Sequence, residues 1–196
     1  MCIDDKIKQA DVEGNKEKIE GLLLSTRRDA MGKLVDWLKS TDFYTAPASS
    51  MPGRHGCYEG GLAEHSLHVY EAFRKKVEDY GLTIGKEEVV ISSICHDFCK
   101  IDVYKKNVLK KGKVSDSKPY VMEEKFPIGH GEKSVVLVDN FIPLTEKEML
   151  LIRWHMGMYD KEFENYSEKV DRVCPEIYAF HNADMEAARY MDGRKR

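Results

Sequence analysis

Apolar residues recur along most of this chain at intervals of three and four, the spacing that lines one face of an α-helix. Ile19, Leu22, Leu23, Met31, Leu34, Val35 and Leu38 keep that period and predict a first helix over about residues 15–39, with Asn15 as its cap. Residues 41–60, rich in Pro, Ser and Gly, break the period and read as a loop. Leu62, His65, Val69, Ala72 and Phe73 fall on one stripe and predict a second helix over about 61–80. A third, over about 86–98, holds the run Val89-Val90-Ile91-Ser92-Ser93-Ile94-Cys95. That run is apolar nearly all round, so this helix is expected at the centre of the fold.

The pattern changes over residues 101–126, where Val103, Tyr104, Val108, Val114, Tyr120 and Val121 surround Gly112 and suggest a β-hairpin or irregular excursion. Helical spacing returns at about 130–140 and 145–155, the latter opened by Thr145 and Glu148 at capping-box spacing. Residues 156–171 read as loop, and Pro175 suits the first turn of a last helix ending near Met191. The expectation is an all-α helical bundle with a small β-hairpin insertion. Residues 1–42 would form a helical segment packed on a domain spanning 43–196, the whole making one compact unit.

Composition narrows the function classes. With 42% hydrophobic and 33% charged residues among 196, the chain has the balance of a globular protein rather than a disordered one. A net charge of −3 provides no global positive field, so nucleic acid is not favoured as a partner. No apolar run approaches the ~20 residues that span a bilayer, and the charged start Met1-Cys2-Ile3-Asp4-Asp5 lacks a secretory signal. The expectation is a cytoplasmic protein without membrane contact. Cys2, Cys57, Cys95, Cys99 and Cys174 are odd in number and show no C-x-x-C pair, so they read as free thiols, with Cys95 and Cys99 in the core.

The histidines carry the candidate chemistry. Five of the seven, His65, His96, His130, His155 and His181, fall in or at the ends of predicted core helices, and His96 directly precedes Asp97 at the end of the most apolar one. Burying an unpaired carboxylate is costly, and a divalent cation is a partner that satisfies several such groups at once. Imidazole and carboxylate ligands suit Zn, Fe, Mn, Ni or Co. A carboxylate such as Asp97 can also bridge two cations ~3.5–4 Å apart, the spacing that clamps a phosphoryl centre and generates its nucleophile.

The order His65 … His96-Asp97 … Asp184 resembles the defining motif of the HD-domain metal-dependent phosphohydrolases, and the added His130 and His155 resemble the subset that holds two metals. The local strings agree. Gly60-Gly61-Leu62-Ala63-Glu64-His65-Ser66-Leu67, with Ala46-Pro47-Ala48 and Arg54-His55 upstream, is similar to the first-ligand segment of the HD domain in certain bacterial 3′–5′ exoribonucleases. Cys95-His96-Asp97-Phe98-Cys99-Lys100 resembles the family's H-D-x-x-K, while Gly129-His130-Gly131-Glu132-Lys133-Ser134 and His181-Asn182-Ala183-Asp184 resemble its later segments. The resemblance spans roughly residues 43–190. It does not extend to the G-Y-P signature of cyclic di-nucleotide enzymes or to a nucleic-acid-binding domain.

The resemblance implies roles residue by residue. His65, His96, Asp97 and Asp184 would hold a first metal, and Asp97, His130 and His155 a second, from among Fe, Mn, Ni, Co, Zn and Mg. Lys100 would act beside Asp97, neutralising a phosphate oxygen or the leaving group. Arg54 and His55 would contact substrate, with Tyr159 as a stacking surface. The implied activity is hydrolysis of a small phosphomonoester or phosphodiester, a nucleotide foremost. Two alternatives stay open: a mixed-iron oxygenase on the same scaffold, and a nucleotide-sensing module that keeps the metal as a structural clamp.

Other positions have plainer readings. His68 reads as a residue behind the ligands or at the surface; His181 either orients a ligand or simply packs. Trp37, Trp154 and Tyr166 are further candidates to stack a base, though Trp154 reads better as packing behind His155. Asp102 and Glu132 read as solvated charges. The lysines Lys105, Lys106, Lys110, Lys111 and Lys113 read as a solvated hairpin face rather than a path for a phosphate-rich polymer.

Overall fold

The computed structural model describes residues 10–110 and 112–192. Met1, Cys2 and the rest of the charged N-terminal stretch, and Lys111, lie outside the described residues. The fold is all-α with a small β insertion: eight α-helices among the described residues and one two-stranded antiparallel hairpin.

The single first helix predicted from periodicity is two. Helix α1 (Val12–Ser25) is capped by Asp11, whose carboxylate accepts from the Gly14 amide at 3.0 Å. Asn15 is therefore not a cap but a buried residue inside the first turn. Helix α2 (Met31–Ser40) follows a turn in which Arg27 and Ala30 take positive φ. Periodicity could not register the break because the apolar stripe resumes in phase after it. Arg28 pins the turn, donating to the Pro143 carbonyl (2.8 Å) and to the buried carboxylate of Glu148 (2.6 Å).

Helix α3 (Gly61–Tyr80) and helix α4 (Lys86–Cys95) follow. Seven consecutive buried residues, Val89 to Cys95, make α4 central, as its composition demands. One 3-10 turn (Phe98–Lys100) leads to strands β1 (Tyr104–Lys106) and β2 (Tyr120–Met122), paired with Lys105 opposite Val121. Helix α5 (His130–Asp139) and helix α6 (Glu146–Trp154) come next, the latter opened by the expected capping box of Thr145 and Glu148.

The expected loop after residue 155 is a correction. It contains helix α7 (Phe163–Val173), which buries only Phe163 and Val170, too few apolar positions to declare a period. Helix α8 (Glu176–Glu186) widens into a π-helical turn, Ala187–Met191.

Two apolar clusters form the interior. One gathers Ile19, Leu34, Phe43, Leu62, Ile91 and Phe98; the other gathers Phe73, Leu151, Phe163, Ile177 and Phe180. Helices α3 and α4 contribute to both, so a polar group at the end of α4 has greasy packing on two sides. Trp37 packs on Phe98 and Phe141, and Trp154 on Phe163 and Tyr166, which uses Tyr166 in packing. Asp102 and Glu132, expected as solvated charges, are exposed and half-buried respectively, and each also has a partner. Asp102 and Asp42 exchange backbone-to-carboxylate hydrogen bonds, and Glu132 pairs with Arg153 at 2.6 Å. No helix among the described residues is long and apolar enough to cross a membrane.

Candidate metal centre

Five segments distant in the chain meet at one point. His65 comes from the second turn of α3, and Asp184 from α8. His96, Asp97 and His155 stand just past the C-termini of α4 and α6, and His130 is the first residue of α5. Helix ends explain how neighbours such as His96 and Asp97 both reach the cluster. Inside a continuous helix adjacent side chains point ~100° apart; here the chain leaves the helix between them.

The atoms converge closely. His65 Nε2 lies 3.1 Å from Asp184 Oδ1, 3.3 Å from His96 Nε2 and 3.6 Å from Asp97 Oδ2. His96 Nε2 is 3.4 Å from Asp97 Oδ2. The other oxygen of Asp97 faces the second group, 2.9 Å from His130 Nε2 and 3.6 Å from His155 Nε2. The two oxygens of Asp97 thus face two sets of nitrogens. The structure brings together all six residues expected as ligands.

The far side of each ring sets which nitrogen faces inward. His96 Nδ1 donates to the Ser93 carbonyl (2.8 Å) and His155 Nδ1 to the Ile152 carbonyl (2.7 Å). His65 Nδ1 contacts Asp192 Oδ2 at 2.7 Å. A ring whose Nδ1 carries the proton presents a lone pair on Nε2, the arrangement of metal-ligating histidines. His155 Nε2 is buried and has no hydrogen-bond partner among the described residues. An inward-facing lone pair left unmatched in the interior is the observation that fits a cation here. Three groups of donors lie at separations that could hold a metal ion: His65, His96 and Asp97; His96, His155 and Asp184; and Asp97, Cys99 and His130.

Electrostatics are those of a site where burial and charge oppose each other. Burial pushes the Asp97 carboxyl up, but Lys100, His96, His130 and His155 outweigh it and hold it well below the usual range. Asp184 follows the same pattern, burial opposed by His65. For the imidazole of His65 burial works downward, yet Asp192 and Asp184 raise it to about 10. His55, whose ring lies 4.8 Å from that of His65, is pushed down to about 3 by burial and by the neighbouring cationic groups.

A cavity of about 620 Å³ opens over the cluster. Arg54, Lys100 and Arg189 are the cationic residues of its wall, with Tyr104 and Tyr159 as aromatic ones and His55 beside them. The loop before α3 is folded back to place Arg54 and His55 there. Ala48 N–H donates to the Gly56 carbonyl (2.8 Å) and Leu62 N–H to the Ala46 carbonyl (3.0 Å). A Cβ on Gly61 would strike the Gly56 backbone, so only glycine permits that approach. Lys100 points at the cluster, its Nζ 2.6 Å from Asp97 Oδ2.

Sequence reasoning missed Asp192, Arg189 on the cavity wall and the contact that Cys99 makes. Asp192 holds His65 and also His68, whose Nδ1 lies 2.6 Å from Asp192 Oδ1; no local pattern marks it. Cys99 was expected as core filling. It is buried as expected, and its Sγ also sits 3.2 Å from His130 Nδ1. His181 sits behind His155, its Nδ1 donating to the His155 carbonyl at 2.7 Å. Set against protein-family models, curated proteins and solved structures, the chain matches none of them.

Proposed function

We propose that this chain is a metal-dependent phosphohydrolase of the HD type, acting on a small phosphomonoester or phosphodiester, with nucleotides the first substrates to try. One observation carries the reading. Inward-facing imidazole nitrogens and two carboxylates from five separate segments form a polar cluster at the floor of a cavity that Arg54, Lys100 and Arg189 also line. Divalent cations held there would activate water at neutral pH and offset phosphoryl charge.

The chain's own residues supply the rest. Asp97 faces both sets of nitrogens and can serve two cations with its two oxygens. Lys100, held on Asp97, keeps a positive charge beside the reacting phosphoryl group. Arg54 and Arg189 offer guanidinium forks to phosphate oxygens from the cavity wall. His55 stays neutral at physiological pH and can pack or hydrogen-bond without adding charge. Tyr159, exposed at the cavity, offers a face for a base.

A small substrate is favoured over a polymer. Two lysines along the hairpin already have acidic partners, Lys106 with Glu59 (3.1 Å) and Lys113 with Asp116 (2.7 Å). The test is the purified protein loaded in turn with Mn, Fe, Co, Ni, Zn and Mg, assayed on aryl phosphate mono- and diesters and a nucleotide panel. Turnover with at least one metal, abolished by chelator, is expected. Bound metal with no turnover on any substrate would overturn the reading.

A further inference from the structure

Cys99 is a buried core residue with unusual neighbours. Cys95 lies inside the first apolar cluster and Cys174 inside the second, but Cys99 belongs to neither. Its backbone N–H donates to Ser134 Oγ of α5 at 3.0 Å, which holds the 3-10 turn against the start of that helix. Its Sγ consequently faces His130, 3.2 Å from Nδ1 and 3.5 Å from Nε2, and stands 4.0 Å from Asp97 Oδ1.

We propose that Cys99 is a thiolate ligand of the second cation, beside Asp97, His130 and His155, and that it makes this position selective for a soft divalent cation such as zinc, cobalt or cadmium. The inference rests on the metal-centre reading above and goes further by naming a sulfur donor and a class of metal.

Two observations carry it. The first is spacing. In a tetrahedral site with bonds of ~2.0–2.3 Å, neighbouring donor atoms stand ~3.3–3.8 Å apart. Asp97 Oδ1, His130 Nε2 and Cys99 Sγ form a triangle with edges of 2.9, 3.5 and 4.0 Å, bracketing those values. The second is independent of the cysteine. The buried His155 Nε2 has no hydrogen-bond partner among the described residues, lies 3.6 Å from the same Asp97 oxygen, and its ring stands 5.2 Å from that of His130. The four donors together make a mixed nitrogen, oxygen and sulfur set. Thiolate selects zinc-like cations, whereas carboxylate and water suit magnesium and manganese. As the metal–sulfur bond forms, the thiol proton leaves to solvent.

The experiment is a cobalt titration of the full chain followed by absorption. The wild-type protein should develop a near-ultraviolet thiolate-to-cobalt charge-transfer band, and Cys99→Ser should bind cobalt without it. Cadmium affinity at the second position should fall ~100-fold in that variant while manganese affinity changes less than ~3-fold. A band of undiminished strength in Cys99→Ser, or cobalt bound by the wild type with no band, overturns the proposal and leaves the metal centre standing. Failure of the wild type to bind cobalt, zinc or cadmium overturns both. A second measurement needs no variant. Cys99 also borders a side pocket of about 200 Å³ beside His130, the route a small alkylating reagent would take. Iodoacetamide labelling of Cys99, read by peptide mass spectrometry, should be blocked by zinc and restored by chelator. Equal labelling with and without zinc contradicts the assignment.

Discussion

Asp192 grips two histidines at once, its Oδ2 2.7 Å from His65 Nδ1 and its Oδ1 2.6 Å from His68 Nδ1. The wide turn after α8 sets its place: Asp192 N–H donates to the Ala187 carbonyl, the longer reach of a π-helical bond. A carboxylate behind a ligating imidazole fixes the ring and raises its basicity. Asp192→Ala should therefore lower affinity at the first metal position by ~10–100-fold without removing any ligand. Calorimetric titration with zinc checks this. His68→Ala, which leaves the Asp192–His65 bond intact, should have a smaller effect. Unchanged affinity in Asp192→Ala would mean that packing alone orients His65.

The distance between His130 and His155 depends on a glycine. Gly131 opens α5 directly against the end of α6, and a Cβ there would strike the backbone of Arg153. Gly131→Ala must push the two helix ends apart, and with them the rings that meet at 5.2 Å. Overpacking of this kind costs ~1–3 kcal/mol. The expected outcome is a lower Tm and loss of the second equivalent of metal, with the first retained. A variant that keeps both equivalents would show that the helices separate without moving the histidines.

Much of this arrangement could be read from residue order, for a physical reason. His65, His96, Asp97, His130, His155 and Asp184 are polar, metal-competent groups set into or at the ends of apolar helices, where they contradict their background. The background itself gave α3, α4, α5 and α6. What stayed hidden lacked such contrast. The turn at Arg27 and Ala30 interrupts a stripe that resumes in phase, and α7 buries too little to show a period. Cys99 resembles its apolar neighbours in size and polarity, so only the position of its sulfur distinguishes it from Cys95. Asp192 returns to the site through a widened turn that no spacing rule anticipates.

Protons and metal compete for the same nitrogens. In the metal-free protein burial works against the charged forms of His65 and His130, but the surrounding carboxylates prevail and raise them to about 10 and about 9. In the unfolded chain both titrate near ~6.5. A folded value above the unfolded one means the bound proton stabilises the fold. That contribution is complete below pH ~6.5 and is lost as pH rises toward ~9–10. Metal-free protein should lose Tm over that alkaline window, and added zinc should cancel the loss. Zinc binding at neutral pH should also release a proton from each histidine, read by calorimetry in buffers of different ionisation enthalpy. A chelated protein whose Tm stays flat from neutral to alkaline pH would contradict the protonated state of this cluster.

Lys100 and Asp97 form a pair whose two halves should fail differently. The ammonium sits 2.6 Å from the carboxylate that faces both sets of imidazoles, with only 14% of the lysine side chain exposed. Asp97→Ala removes the shared ligand and leaves Lys100 buried without its counter-charge, a double fault that should abolish metal binding and activity together. Lys100→Met keeps every ligand and most of the side-chain volume, and relieves Asp97 of a competing cation. Metal content should then be retained while kcat falls ~100-fold, because the positive charge is lost where the phosphoryl group would react. Elemental analysis alongside steady-state kinetics separates the cases. Loss of metal in Lys100→Met would make the lysine a structural prop of Asp97. Retention of both metal and kcat would remove it from the reaction altogether.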